Sequence, residues 1–129
     1  MNPGQLSNTL QSGEFLLPGQ FLISNNGLYG AIMQLDGNFV LYPFSGQQAY
    51  LAPNGPPIWA TGTVRAHFSD PAIFRVIMQP DGNLVVYDCI GSPQWASGTV
   101  NHQGSTLVCS EDGHLYVLDP TQTKLAAYP

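Results

Sequence analysis

Five residues at alternate positions, Gln34, Asp36, Asn38, Val40 and Tyr42, return with the same types and spacing as Gln79, Asp81, Asn83, Val85 and Tyr87. An ionised Asp only accepts hydrogen bonds, Asn and Gln both donate and accept, and Tyr adds a hydroxyl and an apolar ring edge. Val supplies a small apolar floor. This inventory suits a neutral polyol, whose hydroxyls must each be met as donor and as acceptor. A charged acceptor makes the stronger bond to such a hydroxyl. Turn chemistry accounts for Asp-Gly-Asn, but not for Gln two residues earlier or for Val and Tyr in fixed phase afterwards.

Period two puts residues on one side of a strand, yet a hairpin intervenes, so loop length decides whether its two arms agree. A two-residue Asp36-Gly37 loop would turn Gln34 away from Val40 and Tyr42. A three-residue loop, Asp36-Gly37-Asn38, pairs Gln34 with Val40 and Ile32 with Tyr42, gathering one polar face. Such loops need a left-handed third residue, which Asn tolerates. The expectation is therefore the three-residue loop with Asn38 left-handed.

The elements that position these residues are themselves repeated. Met33–Tyr42 matches Met78–Tyr87, and Pro57-Ile-Trp-Ala-Thr-Gly-Thr63 matches Pro93-Gln-Trp-Ala-Ser-Gly-Thr99. A third copy reads Cys109-Ser-Glu-Asp-Gly-His-Leu-Tyr-Val-Leu118, its closing phrase faded to Lys124-Leu-Ala-Ala127. An insertion around Gly46–Gly55, carrying Tyr50, lengthens the first copy and would extend a strand pair or lean over a neighbouring site. In the first repeat, Gln20–Ser24, Leu28–Gln34, Phe39–Tyr42 and the Trp59 phrase read as four strands joined by turn signals. No segment has helical periodicity, so the class is all-β. Three four-stranded antiparallel sheets cannot each bury a face alone and must close as a three-sided prism with pseudo-threefold symmetry. The expected inner positions are Met33, Leu35, Phe39, Leu41, Met78, Leu84, Val86, Leu107, Cys109, Leu115 and Val117, with Trp59 and Trp95 on the axis. The chain reads as one domain, 1–129, with repeats at about 10–63, 64–99 and 100–129.

Composition removes several function classes. Charged residues make up 9% of the 129, far below the usual quarter, and the only cations are Arg65, Arg75 and Lys124 against a net charge of −5. Nucleic acid and anionic membrane surfaces need clustered cations, so neither is an expected partner. No run of about eighteen apolar residues is present for a membrane span, and the first residues lack a signal-peptide pattern. A cytoplasmic or non-classically secreted protein is expected, or an extracellular one if this is a processed form. Cys89 and Cys109 allow one bridge or none, two buried or half-buried thiols being the plainer reading. His67, His102 and His114 have no ligand spacing, so neither metal nor other cofactor is expected. Asp36 and Asp81 belong to different repeats, and Glu111 beside Asp112 reads as a solvated turn. No catalytic constellation emerges.

The pattern Gln-x-Asp-x-Asn-x-Val-x-Tyr resembles the signature of the bulb-type (monocot) mannose-binding lectins, which have the β-prism II fold. The resemblance extends over nearly the whole chain, including Leu10-Gln-Ser-Gly-Glu-Phe-Leu and the Trp-Ala-Thr-Gly-Thr phrases. It implies a single bulb-type lectin domain without enzymatic activity that binds D-mannose and high-mannose glycans without calcium. Asp36 with Asn38, and Asp81 with Asn83, would hold the axial O2 that separates mannose from glucose. Gln34 and Gln79 would reach O3, Tyr42 and Tyr87 O4, and Val40 and Val85 would pack on the ring. In the third copy Ser110, His114, Tyr116 and Leu118 replace Gln, Asn, Val and Tyr, and only Asp112 survives, so this site is expected to be empty or at best to bind something else. Many plant members carry a cysteine where Gly37 stands. The C-terminal strand, which plant dimers exchange, lacks its Trp here, which leaves a homodimer possible but its mode open.

A defence or agglutination role follows from multivalent recognition of glycans. The rival is a protein-binding module of the same fold, of toxin, bacteriocin-like or taste-modifying type. Two intact motifs count against it, because sugar motifs typically decay in that class.

Overall fold

The computed structural model describes residues 7–44, 53, 55–64 and 74–129. Most of the Gly46–Gly55 insertion, Tyr50 included, lies outside them, as do Arg65 and His67. The described residues form twelve short strands and no helix: β1 (Thr9–Leu10), β2 (Phe15–Leu16), β3 (Phe21–Ile23), β4 (Tyr29–Met33), β5 (Phe39–Pro43), β6 (Trp59–Ala60), β7 (Arg75–Met78), β8 (Leu84–Tyr87), β9 (Pro93–Ala96), β10 (Thr106–Cys109), β11 (Leu115–Leu118) and β12 (Lys124–Tyr128). They make three four-stranded antiparallel sheets, ordered β3-β4-β5-β6, β2-β7-β8-β9 and β1-β10-β11-β12. We call these sheets I, II and III, after the repeats whose hairpins they carry.

Only sheet I is built from contiguous chain. Sheets II and III each take their first strand from the N-terminal segment, through Phe15↔Ile77 with Leu16↔Val76, and Thr9↔Val108 with Leu10↔Leu107. That segment is a six-residue repeat, Leu10-Gln-Ser-Gly-Glu-Phe and Leu16-Leu-Pro-Gly-Gln-Phe, followed by Leu22. Each leucine falls in a different sheet and is fully buried. Between them the chain turns a prism corner at Gly13 and Gly19, whose φ values of 87° and 88° suit only glycine well. At these corners Gly13 and Gly19 donate N–H bonds to the carbonyls of Met78 and Met33 at 2.7 Å. Residues 7–23 therefore tie all three sheets together.

The inner faces meet in one core containing Met33, Phe39, Leu41, Met78, Leu84, Val86, Leu107, Cys109, Leu115 and Val117. Fully burying each such side chain contributes about 1.5–3 kcal/mol of hydrophobic free energy. Leu35 departs from expectation: it is 64% exposed, because it lies in the hairpin loop and not on the inward face of a strand. Cys109 pairs with Leu115 as Met33 pairs with Phe39 and Met78 with Leu84. It is thus the third core residue of a threefold set, and both it and Cys89 are free thiols. Trp59, Trp95 and Tyr128 pack on one another, with centroid separations of 5.6, 4.6 and 5.3 Å. By register Ala126 holds the place of the missing third Trp, and Tyr128, two residues on, supplies the ring. Strand β12 completes the sheet of its own chain through β11.

Candidate functional site

All three motifs share one hairpin backbone. In the first, the Gln34 N–H donates to the Asn38 carbonyl at 2.9 Å and the Gly37 N–H returns to the Gln34 carbonyl at 3.2 Å. The second uses Gln79, Asn83 and Gly82 at 2.9 and 3.0 Å, and the third Ser110, His114 and Gly113 at 2.9 and 3.3 Å. The glycines have φ of 89°, 94° and 88°.

The loop is three residues long, but it is Leu35-Asp36-Gly37, one residue earlier than expected. Gly37 takes the left-handed position instead of Asn38, since it does so with no Cβ penalty. Ile32 faces Val40 and Gly30 faces Tyr42. This changes which residues pair without changing which share a face, so Gln34, Asn38, Val40 and Tyr42 still converge. Asn38, freed from turn duty, is held by side-chain contacts.

Those contacts come from the phrase that follows each motif. The Asn38 Oδ1 accepts N–H bonds from Gly62 (2.9 Å) and Thr63 (3.1 Å), and the Thr61 hydroxyl at 3.1 Å. Thr63 Oγ1 then donates to the Gly37 carbonyl at 2.7 Å. The second repeat duplicates this: Asn83 Oδ1 accepts from Gly98 (2.9 Å), Thr99 (3.2 Å) and Ser97 Oγ (3.2 Å), while Thr99 Oγ1 donates to the Gly82 carbonyl at 2.5 Å. Each Asn carbonyl is consumed by the protein, which fixes the rotamer and leaves the amide NH2 as the uncommitted end of the side chain. In the sequence these Thr-Gly-Thr and Ser-Gly-Thr phrases stand out as repeat and family features, with nothing that ties them to the Asn side chains. Their signal was co-occurrence with an intact motif.

The remaining polar groups are ordered among themselves. Asp36 Oδ1 and Asp81 Oδ1 accept the N–H of Asn38 and Asn83 at 3.0 and 2.9 Å, which fixes each carboxylate beside its Asn. Gln34 Nε2 donates to the Tyr42 hydroxyl at 2.5 Å. In the second site the Tyr87 hydroxyl donates to Gln79 Oε1, and Gln79 Nε2 lies 3.2 Å from Asp81 Oδ1. Val40 and Val85 are only 2% and 3% exposed, so the apolar floor is small. One acceptor carboxylate beside one amide donor can satisfy a single ligand hydroxyl in both of its roles.

The third hairpin keeps the backbone and spends the chemistry internally. The Tyr116 hydroxyl donates to Asp112 Oδ2 at 2.7 Å. That bond holds the Asp112 carboxyl below its ordinary value and pushes the Tyr116 phenol up. The Lys124 ammonium sits over the Tyr116 ring, 4.2 Å from its centroid. His114 stands where Asn38 and Asn83 stand, and its Nδ1 is buried without a partner. Ser110 and Leu118 complete the set without the Gln–Tyr pair. Among the described residues no group of three or more His, Cys, Asp or Glu is placed to hold a metal ion.

A mannose-binding lectin of the orchid Gastrodia elata has a solved structure that superposes with a TM-score of 0.75, at 30% identity over 94% of this chain and 96% of that one. The snowdrop (Galanthus nivalis) mannose-specific agglutinin, solved with methyl α-D-mannoside, superposes at 0.67, with 37% identity over 86% and 88%. The chain belongs to the bulb-type mannose-binding lectins. Its architecture is their β-prism II, and the family comprises sugar-binding proteins, not enzymes. A mannose-specific lectin of Narcissus tazetta is 50% identical over 56 residues, 43% of this lectin and 32% of the relative's length. The matched segment thus spans about a third of that relative. No family sequence model matches the chain.

Proposed function

We propose that this lectin binds D-mannose and high-mannose glycans through two sites, Gln34, Asp36, Asn38, Val40 and Tyr42 on sheet I, and Gln79, Asp81, Asn83, Val85 and Tyr87 on sheet II. The observation that carries the reading is the duplicated Asn arrangement. In both repeats the Asn carbonyl accepts three protein donors, which leaves its NH2 uncommitted, and the neighbouring Asp carboxylate is fixed by the backbone N–H of the same Asn. Such a pair recognises a hydroxyl, and Gln and Tyr extend it to further hydroxyls of the same ring. Ser110, Asp112, His114, Tyr116 and Leu118 are scaffold, their carboxylate being taken by Tyr116.

Hydrogen bonds to hydroxyls compete with water, so one site holds a monosaccharide at about millimolar Kd. Two sites on different sheets of one chain raise the avidity for branched glycans, which suits agglutination and defence. Calcium is not required, because the sugar is held by side chains alone.

The decisive experiment is the double substitution Asn38→Asp with Asn83→Asp. A carboxylate still accepts the three protein donors, but the NH2 is lost and a second negative charge faces Asp36 or Asp81. Retention on mannan, eluted by free mannose and unaffected by chelator, is expected for the parent and lost in the double variant. Undiminished retention would remove the assignment. Loss of the parent's retention in chelator would remove the calcium-independent mode.

A further inference from the structure

We infer that the sheet II site has a cationic edge and takes mannose bearing a phosphate group in preference to plain mannose, whereas the sheet I site does not. The inference rests on the mannose reading above and adds a ligand class to one of its two sites.

Arg75 is paired directly across from Tyr87, on the outward face that also carries Gln79 and Val85. Its guanidinium lies over the Tyr87 ring, 4.9 Å from the centroid. The chain has only three Lys and Arg, so a guanidinium on this face is a costly use of a scarce charge. Stacking on the tyrosine restrains the planar fork beside the site while leaving its N–H donors available, and such forks engage phosphate oxygens two at a time.

The first site is built differently at this position. The partner of Tyr42 is Gly30, and the Phe44 ring lies so close that a Cβ on Gly30 would collide with it. Phe44 is itself buried and packs 6.2 Å from Phe21. The same edge is therefore apolar and closed in the first site, but cationic in the second. In the third sheet the matching residue is Thr106, opposite Leu118.

Asp81 opposes an anion, and it stands at the hairpin end of the motif while Arg75 stands beyond the tyrosine end. A phosphate is tolerated only on the part of the ring turned toward Tyr87. The preference thus depends on where the sugar carries its phosphate. An exposed pair of this kind is worth about fivefold in Kd at low salt and fades as salt rises.

The side-chain amide signals of Asn38 and Asn83 report each site separately in a 15N-labelled sample of the whole chain. Titration with methyl α-D-mannoside, mannose 1-phosphate and mannose 6-phosphate should give similar Kd values at both reporters for the plain sugar. One of the phosphates should bind about fivefold more tightly at Asn83 alone, with the ratio falling in salt. Arg75→Gln should bring that ratio to one, and Arg75→Lys should keep part of it; the same spectra verify that each variant is folded. A ratio of one in the parent, an equal preference at Asn38, or a preference that survives Arg75→Gln would overturn the inference and leave the mannose reading standing. Absence of any response to methyl α-D-mannoside would overturn both.

Discussion

The side-chain carbonyl of Asn38 accepts the backbone N–H of Thr63 at 3.1 Å, across 25 residues of chain. Thr63 closes the circuit by donating its hydroxyl to the Gly37 carbonyl at 2.7 Å, so the residue that aims Asn38 also holds the hairpin beneath it. Thr63→Val removes that donor and leaves a buried carbonyl unmatched, at about 1–3 kcal/mol of stability. It also loosens the Asn38 rotamer without touching a ligand. Mannose affinity at the first site should fall several-fold while the second site is unchanged, as read from site-resolved NMR titration beside urea unfolding. A stability loss with full affinity at both sites would reduce Thr63 to a structural prop.

Leu16 sits fully buried in a two-residue strand donated to sheet II. Leu16→Ala should cost about 2–5 kcal/mol, and Leu10→Ala and Leu22→Ala should cost comparable amounts despite lying in different sheets. Denaturant midpoints measure this. A loss below about 1 kcal/mol at any of the three would mean that its corner is dispensable, against the usual range for buried leucine.

These leucines also mark what sequence reading reached and what it missed. The prism, its twelve-strand plan and the convergent polar face followed from period-two patterning and the threefold repeat. The strands that the N-terminal segment lends to sheets II and III did not, because the hexads Leu10–Phe15 and Leu16–Phe21 are too short to show alternation, and only the first belongs to a phrase shared with the family. The loop moved by one residue because both Gly37 and Asn38 accept a left-handed backbone, and glycine, with no Cβ penalty, takes that position in all three hairpins. Leu35 was placed in the core for the same reason. Arg75 gave no signal at all: its meaning depends on the strand register that sets it opposite Tyr87.

Burial pushes the Cys109 thiol up from 9.0 to about 12. The folded state therefore keeps its proton where the unfolded state has lost it. Because the unfolded chain then binds fewer protons, stability falls as pH rises. The contribution is intact below about pH 9 and is lost progressively toward pH 12. Cys109→Ala should flatten that alkaline slope while costing stability at neutral pH. In native protein at pH 8 a thiol reagent should leave Cys109 unmodified until denaturant is added, as peptide mapping of the labelled chain would show. Rapid native labelling of Cys109 would contradict its place in the core.

Restoring the third motif should not restore a third site. The substitutions Ser110→Gln, His114→Asn, Tyr116→Val and Leu118→Tyr would recreate the full pattern on a hairpin whose backbone already matches the other two. They would also release Asp112 from the Tyr116 hydroxyl. The cradle is still missing. Leu115 pairs with Tyr128, as Phe39 and Leu84 meet Thr61 and Ser97, so Tyr128 and Pro129 stand where the other repeats place Thr61-Gly62 and Ser97-Gly98. Proline has no N–H to donate, so a new Asn at position 114 would lack the backbone donor that Gly62 and Gly98 supply to Asn38 and Asn83. Calorimetric stoichiometry with methyl α-D-mannoside should stay at two per chain in the quadruple variant. A stoichiometry of three would show that the nine-residue pattern suffices alone, and that the Thr-Gly-Thr turn only stabilises the fold.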